Sequence, residues 1–175
     1  MKKLRRTFCV AFMCALFICG NAYAAVPTWE SLPGHHNLSS FLNENQKYSE
    51  DIINGYARGT IFSVGILRIT NQEDGTLFIS ADTAAHRDVD CIYQTVFLDE
   101  WDEEREDWSQ IGYWEFVRNK EEEDDGELSA YHVAFTVSGC VPNRYYRARA
   151  MHLVQLGDKY EGKATETDGV LLTTH

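Results

Sequence analysis

The residues that could do chemistry in this 175-residue chain are Cys91 and Cys140, His86 beside Asp88 and Asp90, the pair His35-His36, and two acidic runs, Asp99 to Asp107 and Glu121 to Asp125. In an exported chain the two cysteines are expected to close a disulfide, with separate thiols as the alternative; a bridge needs α-carbons within about 7 Å. His86, Asp88 and Asp90 form the best local cluster for proton transfer, yet they sit in no catalytic frame and read more simply as a polar loop between strands. His132, His152 and His175 carry no motif either, and His152 reads as a structural polar contact. There is no G-x-S-x-G elbow, no H-E-x-x-H and no glycine-rich phosphate loop. The acidic runs offer oxygen ligands, but they lack the alternating Asp/Asn positions, bend glycine and distal glutamate of a calcium loop. They read as solvated hairpin tips that block edge pairing. Adjacent histidines in a Pro/Gly-rich segment do not bring both rings to one face, so His35-His36 reads as loop. No metal site and no cofactor is expected.

What remains is a surface. Tyr93 and Phe97 alternate along one segment, and Arg147 and Arg149 along another. If those segments are neighbouring strands, all four side chains share one outer sheet face, where rings and guanidinium groups stack and hydrogen-bond as interface anchors do. Such a face would dock a partner protein or a wall glycan. The competing reading is that the arginines neutralise local acid and cover the rings.

Compartment and charge narrow the partner. Lys2, Lys3, Arg5 and Arg6 precede a short apolar run from Phe8 to Gly20, and Ala22-Tyr23-Ala24 presents small residues where a signal peptidase reads. Residues 1–24 are therefore expected to be a signal peptide cleaved before Ala25. The run is too short for a membrane span, which needs about 18 or more apolar residues. The whole chain holds 16 basic and 27 acidic residues; four basic and no acidic ones lie in the leader, leaving 12 against 27, or −15. A field of that sign disfavours nucleic acid and anionic membrane and favours a cationic partner. Cys9, Cys14 and Cys19 leave with the leader, so only Cys91 and Cys140 can pair. The chain closes on Thr173-Thr174-His175 with no covalent sorting signal, so retention at a cell surface is expected to be non-covalent.

The elements that must position these residues follow from periodicity. Residues 25–54 read as an irregular lead-in punctuated by Pro27, Pro33-Gly34 and Asn37, with one short helical turn over Leu38 to Phe41 capped by Ser39 or Ser40. From residue 55 to 175 the period is two. Strands are predicted at about Ala57–Leu67 (breaking near Gly65), Thr76–Ala81, Val89–Trp101, Trp108–Val117, Leu128–Val137, Tyr145–Gln155 and Thr165–Thr173. Seven antiparallel strands at this spacing predict an all-β, two-sheet sandwich. Alternation puts Ile92, Val96 and Leu98 on one face and Cys91, Tyr93, Thr95 and Phe97 on the other. Tyr146, Ala148 and Ala150 point inward, because burying Arg147 and Arg149 is costly. Trp101, Trp108 and Trp114 crowd one hairpin.

The stretch Arg144-Tyr145-Tyr146-Arg147-Ala148-Arg149-Ala150 resembles the sixth strand of fibronectin type III modules, which implies a fibronectin type III-like or immunoglobulin-like sandwich with Tyr146 as a corner tyrosine whose hydroxyl returns to the preceding turn. More broadly, Ala57-Arg58-Gly59, Thr83 to Val89, Asp90, Trp108, Tyr146-Arg147-Ala148-Arg149, His152 and Thr165-Glu166-Thr167 resemble a family of small secreted proteins of Gram-positive bacteria, catalogued as a domain of unknown function. That resemblance covers roughly residues 56 to 173 and brings no activity. The expectation is a secreted, non-enzymatic binding or adhesion module; the alternatives are a small extracellular enzyme acting on polysaccharide and a secreted inhibitor of a basic protein.

Overall fold

A computed structural model describes residues 27–36, 39–55 and 61–175. The expected leader, residues 1–24, and the motif Ala57-Arg58-Gly59 lie outside the described residues. Among the described residues nine strands follow in order: β1 (Tyr48–Asn54), β2 (Phe62–Asn71), β3 (Leu77–Ala85), β4 (Cys91–Asp102), β5 (Asp107–Asn119), β6 (Ala130–Val137), β7 (Tyr145–Leu156), β8 (Lys159–Glu166) and β9 (Val170–Leu171). Two single 3-10 turns, Trp29–Ser31 and Lys120–Glu122, are the only helical pieces among the described residues. The strands form two antiparallel sheets, ordered β1-β2-β3-β6 and β5-β4-β7-β8, with β9 paired to β7 beside β8. The chain is all-β and the sheets pack as a sandwich.

Alternation explains the core. Leu67 and Ile69 on β2, Leu77, Ile79 and Ala81 on β3, Val96 and Leu98 on β4, and Tyr146, Ala148 and Ala150 on β7 fill the space between the sheets near one end. Phe62, Val89, Ile92, Leu128 and Val154 fill the other. Between them lies a polar layer of Thr83, Gln94 and His152, all buried. Gly65 belongs to this layer. Strand β2 runs straight through Gly65 rather than breaking there, and a Cβ at that position would meet the His152 ring at 2.7 Å. The glycine is there to admit the imidazole.

Two strands differ from the expectation, for one reason. Strand β1 lies inside the presumed lead-in and pairs along all of its length with β2, so the sandwich begins at Tyr48 rather than at residue 55. Its first two inward positions are polar, only Ile53 reaching the core: Ser49 is buried and accepts from the Asp168 amide at 2.9 Å, while Asp51 meets His35 and the Glu166 amide. Its apolar Tyr48 and Ile52 face out. Strand β8 has the same inversion, with Thr165 turned inward to His152; no strand is expected there before Thr165, and the last expected strand, Thr165–Thr173, holds only the end of β8 and the short β9. Segments whose apolar and polar faces are exchanged do not show the period that marks a half-buried strand.

The lead-in is also not a free tail. Gly34 and Phe41 bridge in parallel to Ala164 and Gly169. The His35 amide donates to Ala164 O at 3.0 Å and the Leu42 amide to Gly169 O at 2.9 Å. Residues 33–36 and 39–42 thus line the edge of the five-stranded sheet beyond β8. The expected helical turn over Leu38 to Phe41 is not formed at Ser39 to Phe41, where Phe41 makes a β-bridge instead, Leu38 itself lying outside the described residues. Ser39 and Ser40 bond to Glu166 and Asp168 instead of capping a helix.

Candidate functional site

Strands β4 and β7 are hydrogen-bonded neighbours, with Tyr93 opposite Leu153 and Phe97 opposite Arg149. The four candidate residues Tyr93, Phe97, Arg147 and Arg149 therefore share the outer face of the five-stranded sheet. A bulge between Leu98 and Asp99 makes Ile111 the extra residue on β5, which turns Gln110 and Trp108 onto this face as well.

The face is not open along its full width. Arg147 is 6% exposed, contrary to the expectation that both arginines point into solvent. Its Nε donates to Asp99 Oδ2 at 2.9 Å and its Nη1 to Glu166 Oε1 at 2.8 Å and Ser39 Oγ at 3.1 Å. Arg149 grips Asp99 with two prongs, Nε to Oδ2 at 2.7 Å and Nη2 to Oδ1 at 2.9 Å, and reaches Gln110 Oε1 at 3.0 Å. Two guanidinium groups against two carboxylates leave the cluster neutral, which offsets the cost of burial that a lone arginine would carry. The acidic run is thus not merely a solvated tip: Asp99 is sunk in the cluster, and Glu100 binds Arg144 and the Tyr146 hydroxyl.

The cover comes from the lead-in. Leu32 packs with Met151, Leu153 and Ala164, and Trp29 joins them against Phe97 and Tyr93. Arg149 lies between the Trp29 and Phe97 rings, 4.9 and 4.8 Å from their centroids. Arg147 sits 4.8 Å over Trp108, which touches Trp101 and Phe41. Trp114 leaves this group and turns inward onto Phe135. Sequence reasoning missed Trp29, Leu32 and Phe41 because nothing local ties them to a strand more than a hundred residues later.

Toward β5 the same face is bare. Phe97 stacks with Tyr113 at 6.5 Å, and Tyr113 and Val117 on this face are 59% and 46% exposed, whereas the bulge residue Ile111 turns toward the cleft that holds Leu98 and Cys140. The signal for this row was present: β5 carries apolar residues on both faces, with Trp114 and Phe116 inward, although it is an edge strand. Tyr93 lies at the far end, its hydroxyl donating to Gln155 Oε1 at 2.8 Å. Hydrogen bonding with Cys91 and burial hold its phenol above the ordinary range.

Cys91 and Cys140 are free thiols, so the expected bridge is not formed. Cys91 opens β4 opposite Gln155, whereas Cys140 lines a cleft with Leu98 and Glu100 near the other end of that strand. Seven residues of strand at about 3.3 Å each separate them by roughly 20 Å, far beyond bridging distance. Burial raises both thiol pKa values, and neighbouring carboxylates add to the effect, which keeps the thiolate scarce.

The histidines are dispersed. His35 Nδ1 lies 2.7 Å from Asp51 Oδ1, and His36 Nε2 donates to Leu32 O at 2.8 Å with its ring edge-on to Trp29. His86 is exposed in the loop before β4, where neighbouring Asp90 accepts from the Gly157 amide. His152 is fully buried between Thr83 Oγ1 at 2.8 Å and Thr165 Oγ1 at 2.9 Å, and desolvation lowers its pKa to about 3. Among the described residues no group of three or more His, Cys, Asp or Glu side chains is placed to hold a metal ion.

Tyr146 completes the frame. Its hydroxyl accepts from the Val141 amide at 2.8 Å, so it does return to the turn that precedes its strand. Burial and the hydrogen bond to Glu100 raise its pKa. Fold and site together define a small all-β sandwich domain with one sheet face strapped by its own N-terminal arm. The chain belongs to a family described as "Family of unknown function (DUF6147)", whose model matches residues 34–170 and so takes in the arm from Gly34 onward as well as the strands. No curated protein matches the chain.

Proposed function

We propose that this chain is a secreted, non-enzymatic binding module that docks a protein partner on the bare β4–β5 part of the outer face. The observation that carries the reading is the row Tyr113 and Val117, each about half exposed on an edge strand opposite Phe97 and Tyr93, with Tyr113 stacked on Phe97. Contiguous exposed apolar surface on a rigid sheet marks an interaction site, and tyrosine is enriched at such interfaces. Glu115 stands within the row and the net charge of the chain is −11, so the favoured partner carries a basic rim. Secretion rests on the leader pattern of residues 1–24.

A fibronectin type III-like relationship is part of the proposal. Without β1, the orders β2-β3-β6 and β5-β4-β7-β8 run as the A-B-E and C′-C-F-G sheets of such modules, and Tyr146 makes the corner bond. In this reading β1 is an added edge strand.

The test uses the purified protein as bait against culture supernatant and wall extracts, beside a Val117→Asp/Tyr113→Ala variant of unchanged melting temperature. A partner retained by the parent protein and lost on the variant supports the reading. Identical captured proteins on both baits reject it.

A further inference from the structure

At the end of the sandwich remote from His86, four aromatic rings meet. Phe41 lies 4.9 Å from Trp101, 5.8 Å from Trp108 and 4.7 Å from Tyr145. Phe41 is 48% exposed, yet it is not loosely held. Backbone bonds from Leu42 to Gly169 and from Gly169 to Ser40 pin the chain on either side of it. Gly169 lies so close to Trp108 that a Cβ there would approach the indole to 2.8 Å. A half-exposed ring fixed by backbone pairing is organised before any ligand arrives.

Beside Phe41 and Tyr145 opens a groove of about 650 Å³, walled by the turn through Glu44 and Asn45. A second hollow of similar volume shares Glu44, Asn45 and Tyr145 and continues toward Asn143 and Thr173. The polar lining divides into used and unused groups. Asn71 is spent on Thr173 and the Glu73 amide, and Lys47 pairs with Glu73 at 2.6 Å. The side chains of Glu44, Asn45 and Asn143 make no hydrogen bond among the described residues. Asn143 is fixed in the left-handed region, φ 61°, by its amide bond to Leu172 O at 2.8 Å.

We infer that this end groove is a second binding site, for an uncharged polysaccharide chain. An exposed aromatic face packs against the C–H face of a pyranose ring, and amide and carboxylate groups beside it read hydroxyls as both donors and acceptors. Glu44 and the acidic chain repel polyanions, and the groove has too little apolar lining to seat a lipid tail. The site is distinct from the β4–β5 face, and neither depends on the other.

The test is calorimetric titration of the purified protein with cellohexaose, maltohexaose and chitohexaose, with polygalacturonate as the anionic comparison. At least one neutral hexamer binds, Phe41→Ala weakens it at least tenfold, Asn143→Gly weakens it about threefold or more, and Tyr113→Ala leaves it unchanged. Asn143→Gly keeps the left-handed backbone and its bond to Leu172 while removing the carboxamide side chain, so it decides the matter if Phe41→Ala lowers the melting temperature. Absence of binding by all three hexamers, preference for polygalacturonate, or full affinity in Asn143→Gly and Asn45→Ala overturns the assignment. Loss of hexamer binding with protein capture intact leaves the β4–β5 reading standing.

Discussion

Arg149 holds both carboxylate oxygens of Asp99 in a two-pronged grip while Arg147 approaches the same carboxylate from the directly opposed position on β7. One buried acid thus anchors two cations. Asp99→Asn keeps the shape and removes the charge, so Arg149 loses its counter-ion and Arg147 one of its two in a site closed by Trp29 and Trp108. The expected cost is about 3–5 kcal/mol, read from urea denaturation. Because the three residues act as a unit, Asp99→Asn combined with Arg149→Met costs less than the two changes summed.

His152 makes stability fall in mild acid. Its folded pKa is about 3, below the 6.5 of an exposed histidine. The unfolded chain therefore binds a proton that the folded chain refuses. The contribution is full above pH 6.5 and is lost as pH falls from 6.5 toward 3, at about 1 kcal/mol per pH unit. Urea midpoints measured from pH 7 to pH 4.5 fall more steeply for the parent protein than for His152→Gln.

Gly65→Ala strikes the same ring from the opposite sheet. The added methyl has no room beside the imidazole, so the two sheets must part or His152 must leave Thr83. The expected loss is about 1–3 kcal/mol, visible as a lower melting temperature.

The cysteines titrate as thiols. Unfolded, unreduced protein lacking residues 1–24 gives two reactive thiols, and the folded protein reacts more slowly at buried Cys91 than at half-buried Cys140. A thiol count of zero in the unfolded protein contradicts the structure.

Truncating Leu32 to Ala loosens the strap over Met151 and Leu153. A cost of about 2–3 kcal/mol is expected, together with faster proteolytic cleavage within residues 29–42 than elsewhere in the chain.

Sequence alternation was a sound guide wherever the inward set is apolar. Strands β4, β6 and β7 lie near their expected positions, and Ala148 and Ala150 are fully buried. It failed at β1 and β8, whose inward serine, aspartate and threonine are satisfied by partners in distant segments. For the site, it placed Tyr93, Phe97, Arg147 and Arg149 on one face but not the lid over it. Arg147 is sequestered by Ser39 and Glu166, and Trp29 covers Arg149; no local period encodes such contacts. The same limit applied to Cys91 and Cys140, whose separation becomes visible only when strand register is known.

The arm that binds beside β8 imposes an order on how the molecule is made. Ser39 and Glu166, bonded to each other, stand 127 positions apart, so a chain emerging from the ribosome exposes the early member long before the late one exists. Loop-closure entropy makes such a link slow as well as late. Until Ala164 and Gly169 arrive, the backbone pairs of Gly34 and Phe41 have no partner, and the arm stays unlatched while all the strands between are made.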